Sequence, residues 1–310
     1  MNIEKTYFRP QSIGEAVQLA AGHENDFRYL AGGTDVIVNK FQETETSSCL
    51  IDLTGIGEMR QVQTLDHCLS IGALVCLDEL KNYPVLAVEF PVLLEAAQAV
   101  ASPVIRKTAT IGGNVLCENR CSFFNQTEWW REAVGYCLKC KGDICIATGG
   151  TENCFSKFAS DTAIALISLD ATISVLEKDA AYVVPLEEIY TGDGIQPRKF
   201  NKTTLIKSIE IPLDRGFRSV FKKLRQRETL EFSSLTTVVT TDRQGKIKIV
   251  LGGVDPKPVV ITGKVGDDPK ELIRKAVKKS RIVNNDVYSR QYRKDMITVY
   301  LNNSFEALAR

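Results

Sequence analysis

The chain has 310 residues, 44% hydrophobic and 25% charged, with a formal net charge of +1. That length can bury a sizeable core in two or three domains, and the near-zero charge excludes the electrostatic footprint of a nucleic-acid or anionic-membrane binder. The start MNIEKTYFRP lacks the basic and apolar regions of a secretory signal, and no apolar run nears the ~20 residues that cross a bilayer, so a cytoplasmic protein is expected.

In chain order, residues 27–41 (FRYLAGGTDVIVNKF) read as a strand, a Gly-Gly turn and the start of a helix. Segments 49–56 and 67–75 read as strands, and 78–101 as helical with breaks at Pro84 and Pro91. A second glycine turn, ATIGGNV, follows at 109–115. Beyond a cysteine-rich stretch come a helix (161–169), a strand (171–177) and another strand (203–212). Segment 219–253 reads as a strand, a turn and a hairpin with Asp242 to Gly245 at its tip, and helices at 270–282 and 292–301 close the chain. Strands and helices mix without regular alternation, which predicts an α+β fold rather than a doubly wound sheet.

Two features carry chemistry. Glycine admits positive φ and removes the side chain that keeps an anion away from backbone N–H groups, so AGGTD and TIGGN would each cradle a phosphate. A pair of them suits a diphosphate, although neither fits the G-x-G-x-x-G or P-loop patterns. The second feature is residues 121–154, which hold five cysteines and the pair Trp129-Trp130. Under reducing conditions such clustering points to metal binding or redox chemistry rather than disulfides. Spacing alone does not choose between a four-thiolate zinc site, built on the C-x-x-C pair Cys137/Cys140 with Cys145 and Cys154, and an iron–sulfur cluster. Cys49, Cys68 and Cys76 read as core residues. His23 and His67 stand in unrelated stretches with no nucleophile or acid arranged around them, and read as surface residues.

The ordered set AGGTD, RKTATIGGNV, ASDTAIALISLDATI and FKKLRQRETLEF resembles the FAD-binding subunit of the molybdenum hydroxylase family over nearly the whole chain. The resemblance implies a two-subdomain FAD-binding domain at 1–214, split near residue 54, and a C-terminal antiparallel sheet-and-helix domain at 215–310. It implies FAD contacts from Gly32, Gly33, Thr34 and Asp35, and from Thr110, Ile111, Gly112, Gly113 and Asn114. It also matches Asp161 to an acidic residue near the adenosine ribose, and Lys222 to a lysine near the flavin; from the sequence Asp161 reads equally as a helix N-cap.

The cysteine stretch departs from the common pattern as an insertion at about 116–158. NRCSFFNQTEWWREAVGYCLKCKGDIC resembles the loop that distinguishes the 4-hydroxybenzoyl-CoA reductase branch of the family, where it carries a 4Fe-4S cluster. That resemblance implies the ligands Cys121, Cys137, Cys145 and Cys154, separated by 16, 8 and 9 positions, with Cys140 left over. The two tryptophans are expected to shield the site from water. Lys139 and Lys141 read as solvated residues available to dock a small acidic carrier. The branch implies electrons entering from ferredoxin and crossing to a small 2Fe-2S subunit and a large molybdenum-cofactor subunit, in a dimer of heterotrimers. The alternative is the FAD subunit of a xanthine or aldehyde dehydrogenase type passing electrons outward. Nothing in the chain resembles a molybdenum site, so substrate chemistry is expected on a partner.

Overall fold

A computed structural model describes residues 5–23, 26–177 and 180–310. The chain builds three sheets in succession. The first is a small parallel sheet of β1 (Thr6–Phe8), β2 (Phe27–Leu30) and β3 (Cys49–Asp52), with β3 in the middle. Its parallel strands need crossovers. These are α1 (Ile13–Gly22), whose Ser12 cap accepts from the Glu15 N–H, and α2 (Val36–Phe41), which begins directly after the Gly32-Gly33 turn. Ile13, Ala16 and Ala20 form the buried stripe of α1.

The second sheet is antiparallel, in the order β4 (Val62–Thr64), β5 (Cys68–Gly72), β8 (Leu205–Pro212), β6 (Thr172–Glu177), β7 (Ala180–Pro185). Between β5 and β6 lie α3 (Pro84–Glu89), α4 (Pro91–Gln98), α5 (Pro103–Arg106), α6 (Ile111–Val115), α7 (Glu128–Val134) and α8 (Asp161–Ser168). Proline sits in the first turn of α3, α4 and α5, where its missing N–H costs no helical bond. The second glycine motif, expected as a turn, winds into α6, with Thr110 as its cap.

The third sheet is the antiparallel β9 (Arg218–Leu224), β10 (Leu235–Thr241), β11 (Lys246–Gly252) and β12 (Val259–Lys264). The hairpin tip stands where the sequence places it, with Gly245 at φ 77° and the Asp242 carboxylate accepting from the N–H groups of Gln244 and Lys246 at 2.9 Å each. Both faces of this sheet are covered. Val238 and Val250 join the core that contains α8, whereas Val239, Ile249 and Leu251 join a second core with α9 (Pro269–Lys279) and α10 (Arg290–Leu308). Every residue of α8 is buried as a result. Among the described residues no helix is long and apolar enough to cross a membrane.

Candidate functional site

The two glycine motifs meet across one cleft of about 940 Å³, lined by Gly32, Gly33, Thr34 and Asp35 from one side and Thr110, Gly112, Gly113 and Asn114 from the other. That volume lies at the upper end of small-molecule and cofactor sites. The motifs do different work. Among the described residues, the N–H groups of Gly32, Gly33, Thr34 and Asp35 take no partner within the chain, so this turn offers a run of free donors to the cleft. In the second motif the N–H groups of Ile111, Gly112, Gly113 and Asn114 are committed to Val75 O, Ala73 O, Thr110 Oγ1 and Thr110 O, at 2.9 to 3.1 Å. The expectation of one N–H cradle per motif is corrected accordingly: the second contributes surface and side chains. Ile111 is fully buried and faces the core. Asn114 Oδ1 accepts from Ser160 and Thr162, which turns its amide nitrogen to the remaining side.

Glycine is required in the second motif for two reasons. A Cβ at Gly112 would stand 2.6 Å from the Ala73 Cβ, so this glycine seats the motif on the sheet, whereas Gly113 is exposed to the cleft and a Cβ there would meet only Thr110 Oγ1 at 3.0 Å. Gly32 serves packing between the motifs, since its Cβ would fall 1.8 Å from Thr108 O.

Asp161 lines the cleft, but Ser160 is the cap of α8. Both carboxylate oxygens of Asp161 are already used, one by the hydroxyls of Ser233 and Thr236 and the other by Lys223 Nζ at 2.6 Å. Lys223 also donates to Ala99 O at 2.8 Å and lines the cleft; Lys222 does not, being one residue along the strand and so on its opposite face. Of the two lysines it is therefore Lys223, held by Asp161, that lines the cleft.

The insertion is fastened to the cleft at its start. Asp35 accepts from the Glu118 N–H at 3.0 Å and pairs with Arg120. Glu118, whose side chain is 19% exposed, is met by Arg198 at 2.6 Å, Arg28 at 3.2 Å and Lys139 at 3.4 Å. Burial opposes ionisation of Glu118, yet Arg198, Lys139 and Arg28 together hold its carboxyl well below the usual range. Within the F-N-Q-x-E-W-W-R core, Arg131 is 2% exposed and donates to Gln126 O at 2.5 Å and Gln42 O at 2.6 Å, bolting α7 to the end of α2. Thr127 caps α7, and Gly135 ends it in the left-handed region.

Four cysteines of the insertion, Cys121, Cys137, Cys145 and Cys154, line one small cavity of about 10 Å³, and Cys140 does not. The rest of the wall is Phe123, Phe124, Leu138, Lys139, Ile146, Ala147 and Ser156. Trp129 is 75% exposed and Trp130 half-buried, and neither lines the cavity; the expected shielding falls to the phenylalanines and aliphatics instead. Burial pushes the Cys121 thiol up to about 11 and also raises Cys154, whose Sγ lies 3.4 Å from the Ser156 hydroxyl. A hydrogen bond with Cys140 lowers Cys137 and raises Cys140. Among the described residues no group of three or more His, Cys, Asp or Glu side chains stands close enough together to hold a metal ion, whether zinc or iron, without some rearrangement. The donor set of four thiols, in a wall that is apolar apart from Lys139 and Ser156, suits a thiolate-held cluster, which binds by exchanging metal for the thiol protons.

Lys139 is not solvated. Its side chain is 8% exposed, its Nζ lies 4.8 Å from the Phe124 ring centroid, and only Lys141 remains at the surface. His67 is exposed, while His23 is half-buried and bonds Leu19 O at 2.9 Å. Cys49 and Cys76 are buried and Cys68 half-buried. Sequence reasoning passed over Glu118, Arg198 and Cys117. Cys117 lines the cleft, its thiol pushed up to about 12 by burial.

Residues 2–214 match the family model described as FAD binding domain in molybdopterin dehydrogenase. The chain is 29% identical over 262 residues to the aldehyde oxidoreductase FAD-binding subunit PaoB of Escherichia coli, with 82% of each covered. It is 23% identical over 318 residues to the glyceraldehyde dehydrogenase medium chain of Sulfolobus acidocaldarius, with 99% of each covered. Among solved structures, a carbon monoxide dehydrogenase from Hydrogenophaga pseudoflava aligns with a TM-score of 0.75 at 20% identity, covering 99% of this chain and 98% of that one.

Proposed function

The chain belongs to the family of FAD binding domains in molybdopterin dehydrogenases, the FAD-binding subunits of the molybdenum hydroxylases, and on that premise we propose that it is the electron-carrying subunit of a 4-hydroxybenzoyl-CoA reductase type of complex, with FAD in the cleft and a 4Fe-4S cluster on Cys121, Cys137, Cys145 and Cys154. The family accounts for FAD and for an oxidoreductase subunit. The observation that carries the finer reading is the convergence of those four thiols on one apolar pocket, with Cys140 excluded. When bound, FAD and the cluster supply two-electron and one-electron exchange.

The chain's own residues do the holding. The free N–H groups of Gly32 to Asp35, on one side of the cleft, would donate to the diphosphate oxygens, while Gly113 leaves the other side clear for close approach. Arg131 and Asp35 tie the insertion to the cleft, so the cysteine pocket is fixed beside it. The cavity between the thiols is only about 10 Å³, so the loops between Cys121 and Cys154 would have to widen to admit a cluster. Relatives named as "FAD-binding subunit" and "medium chain" support a place within a complex of several subunits; in this reading the partners are a large molybdenum-cofactor subunit and a small 2Fe-2S subunit, the location is the cytoplasm, and ferredoxin is the donor. The similarity to an aldehyde oxidoreductase subunit favours a second reading, in which electrons leave through this chain to an external acceptor.

Anaerobic purification followed by iron, sulfide, zinc and flavin analysis tests the proposal. About four irons and one FAD per chain are expected, with Cys121→Ser losing iron but keeping FAD, and Cys140→Ser keeping both. One zinc and no iron, or loss of metal in the Cys140 variant alone, would overturn the cluster. Reduction of the complex by ferredoxin, with 4-hydroxybenzoyl-CoA as oxidant, separates the two directions of flow.

A further inference from the structure

Lys139 occupies a position that neither the flavin cleft nor the four-thiol donor set requires. It is a cation with a side chain only 8% exposed, it forms part of the cysteine pocket wall, and it stands over the Phe124 ring in that same wall. Its carboxylate partner, Glu118 at 3.4 Å, belongs to the wall of the other site, the flavin cleft, where Arg28 and Arg198 also reach it. One ion pair therefore spans the partition between the two sites. Three cations converge on the one carboxylate, with Arg28 also reaching Glu45 at 3.6 Å, and of the three only Lys139 lines the cysteine pocket, so it is the cation nearest the four thiols.

We propose that Lys139 is a positioning residue for electrons: held in place by Glu118, it sets the reduction potential of the group bound by the four cysteines. The inference rests on the cluster reading above. A four-iron cluster on four thiolates is an anion that gains one further negative charge on reduction, with no bond broken. A fixed cation within the low-dielectric wall stabilises the reduced state more than the oxidised one, and net charge near a cluster is one of the quantities that set its potential. Glu118 acts with the opposite sign. It offsets part of the cation's field and pins the ammonium, and its own charge is secured by Arg28 and Arg198.

The test uses the whole anaerobically purified complex with Lys139→Met, Lys139→Arg and Glu118→Gln. It reads iron and flavin per chain and the midpoint potential of the 4Fe-4S signal by EPR-monitored titration. Lys139→Met is expected to disfavour reduction at least tenfold, a shift of about 59 mV to more negative potential for one electron. Lys139→Arg keeps the charge and the wild-type potential. Glu118→Gln is expected to shift the potential the other way, because an anion is removed while the cations remain. A merely structural role moves Lys139→Met and Glu118→Gln in the same direction, or strips iron from both, and either result overturns the proposal. So does an unchanged potential in Lys139→Met with iron retained. Absence of a 4Fe-4S EPR signal from the reduced wild type, with no more iron than the 2Fe-2S subunit supplies, sinks the cluster reading itself, and is established before any variant is compared.

Discussion

A side chain added at position 113 would enter the cleft, whereas one added at position 32 would enter the backbone of Thr108. The two glycines therefore fail differently when replaced. Gly113→Ala sits in α6, where alanine is favoured over glycine by about 0.5–1 kcal/mol, and its methyl meets only the movable Thr110 hydroxyl. Fold stability should stay within about 1 kcal/mol of wild type while FAD affinity drops at least tenfold, measured by flavin fluorescence titration of deflavinated protein. Gly32→Ala forces the two motifs apart, with a stability loss of about 1–3 kcal/mol in urea melts. Equal flavin affinity in Gly113→Ala and wild type would remove the second motif from the binding surface. Much of this site was legible in sequence, because a double glycine before a polar residue marks a backbone that something must approach. What the sequence hid is which glycine serves the ligand and which serves packing, since that depends on Thr108 and Ala73, partners set by the tertiary fold.

Among the elements, α8 and the third sheet press closely together. All eight residues of α8 are buried, and a Cβ on Gly252 of β11 would stand 2.8 Å from Ile164 Cγ1. Gly252→Ala should therefore cost about 1–3 kcal/mol through overpacking. Ile164→Ala costs about 2–5 kcal/mol by leaving a cavity. The new methyl fills part of that cavity, so the double variant should lose less than the sum of the singles; strict additivity in denaturant midpoints would show that the two elements do not share this contact. Elements with strong punctuation were readable: Pro84 and Pro91 open α3 and α4, and Asp242 to Gly245 turn the β10–β11 hairpin. Strands β1, β4, β7 and β12 and helices α1, α5 and α7 were not read, β1 and β4 being only three residues long and β7 carrying an exposed edge pattern. Strand β9 shows a sharper limit. Consecutive lysines at 222 and 223 give no alternation to say which points into the cleft, and a one-residue step flips the face.

For the whole molecule, the sequence announced a C-terminal sheet but not that both its faces are covered, because that follows from α8 lying on one side and α9 and α10 on the other. The joint is also ionic. Asp170, in the turn after α8, accepts from Lys248 at 2.5 Å and Lys246 at 2.8 Å, both on β11, and the Lys248 side chain is only 9% exposed. Burial alone would raise the Asp170 carboxyl; the hydrogen bonds and charges of Lys246 and Lys248 outweigh it and hold the group below its ordinary value. A depressed folded value means that the stabilisation is fully present above the unfolded carboxyl's value of about 3.9, and is lost as pH falls below it toward the folded value. Asp170 has φ 56°, a left-handed conformation that asparagine also adopts readily, so Asp170→Asn removes the charge while sparing the backbone. The buried Lys248 is left with Glu187 at 3.4 Å as its remaining anion, and a loss of about 3 kcal/mol at pH 7 is expected. In urea melts the gap between wild type and the D170N variant should be constant from pH 7 down to about 5, then narrow below about pH 4 as the wild-type carboxylate takes its proton. A gap of the same size at every pH would mean that Asp170 serves the joint by shape or neutral hydrogen bonding, and that the third sheet is held to α8 by its apolar face alone.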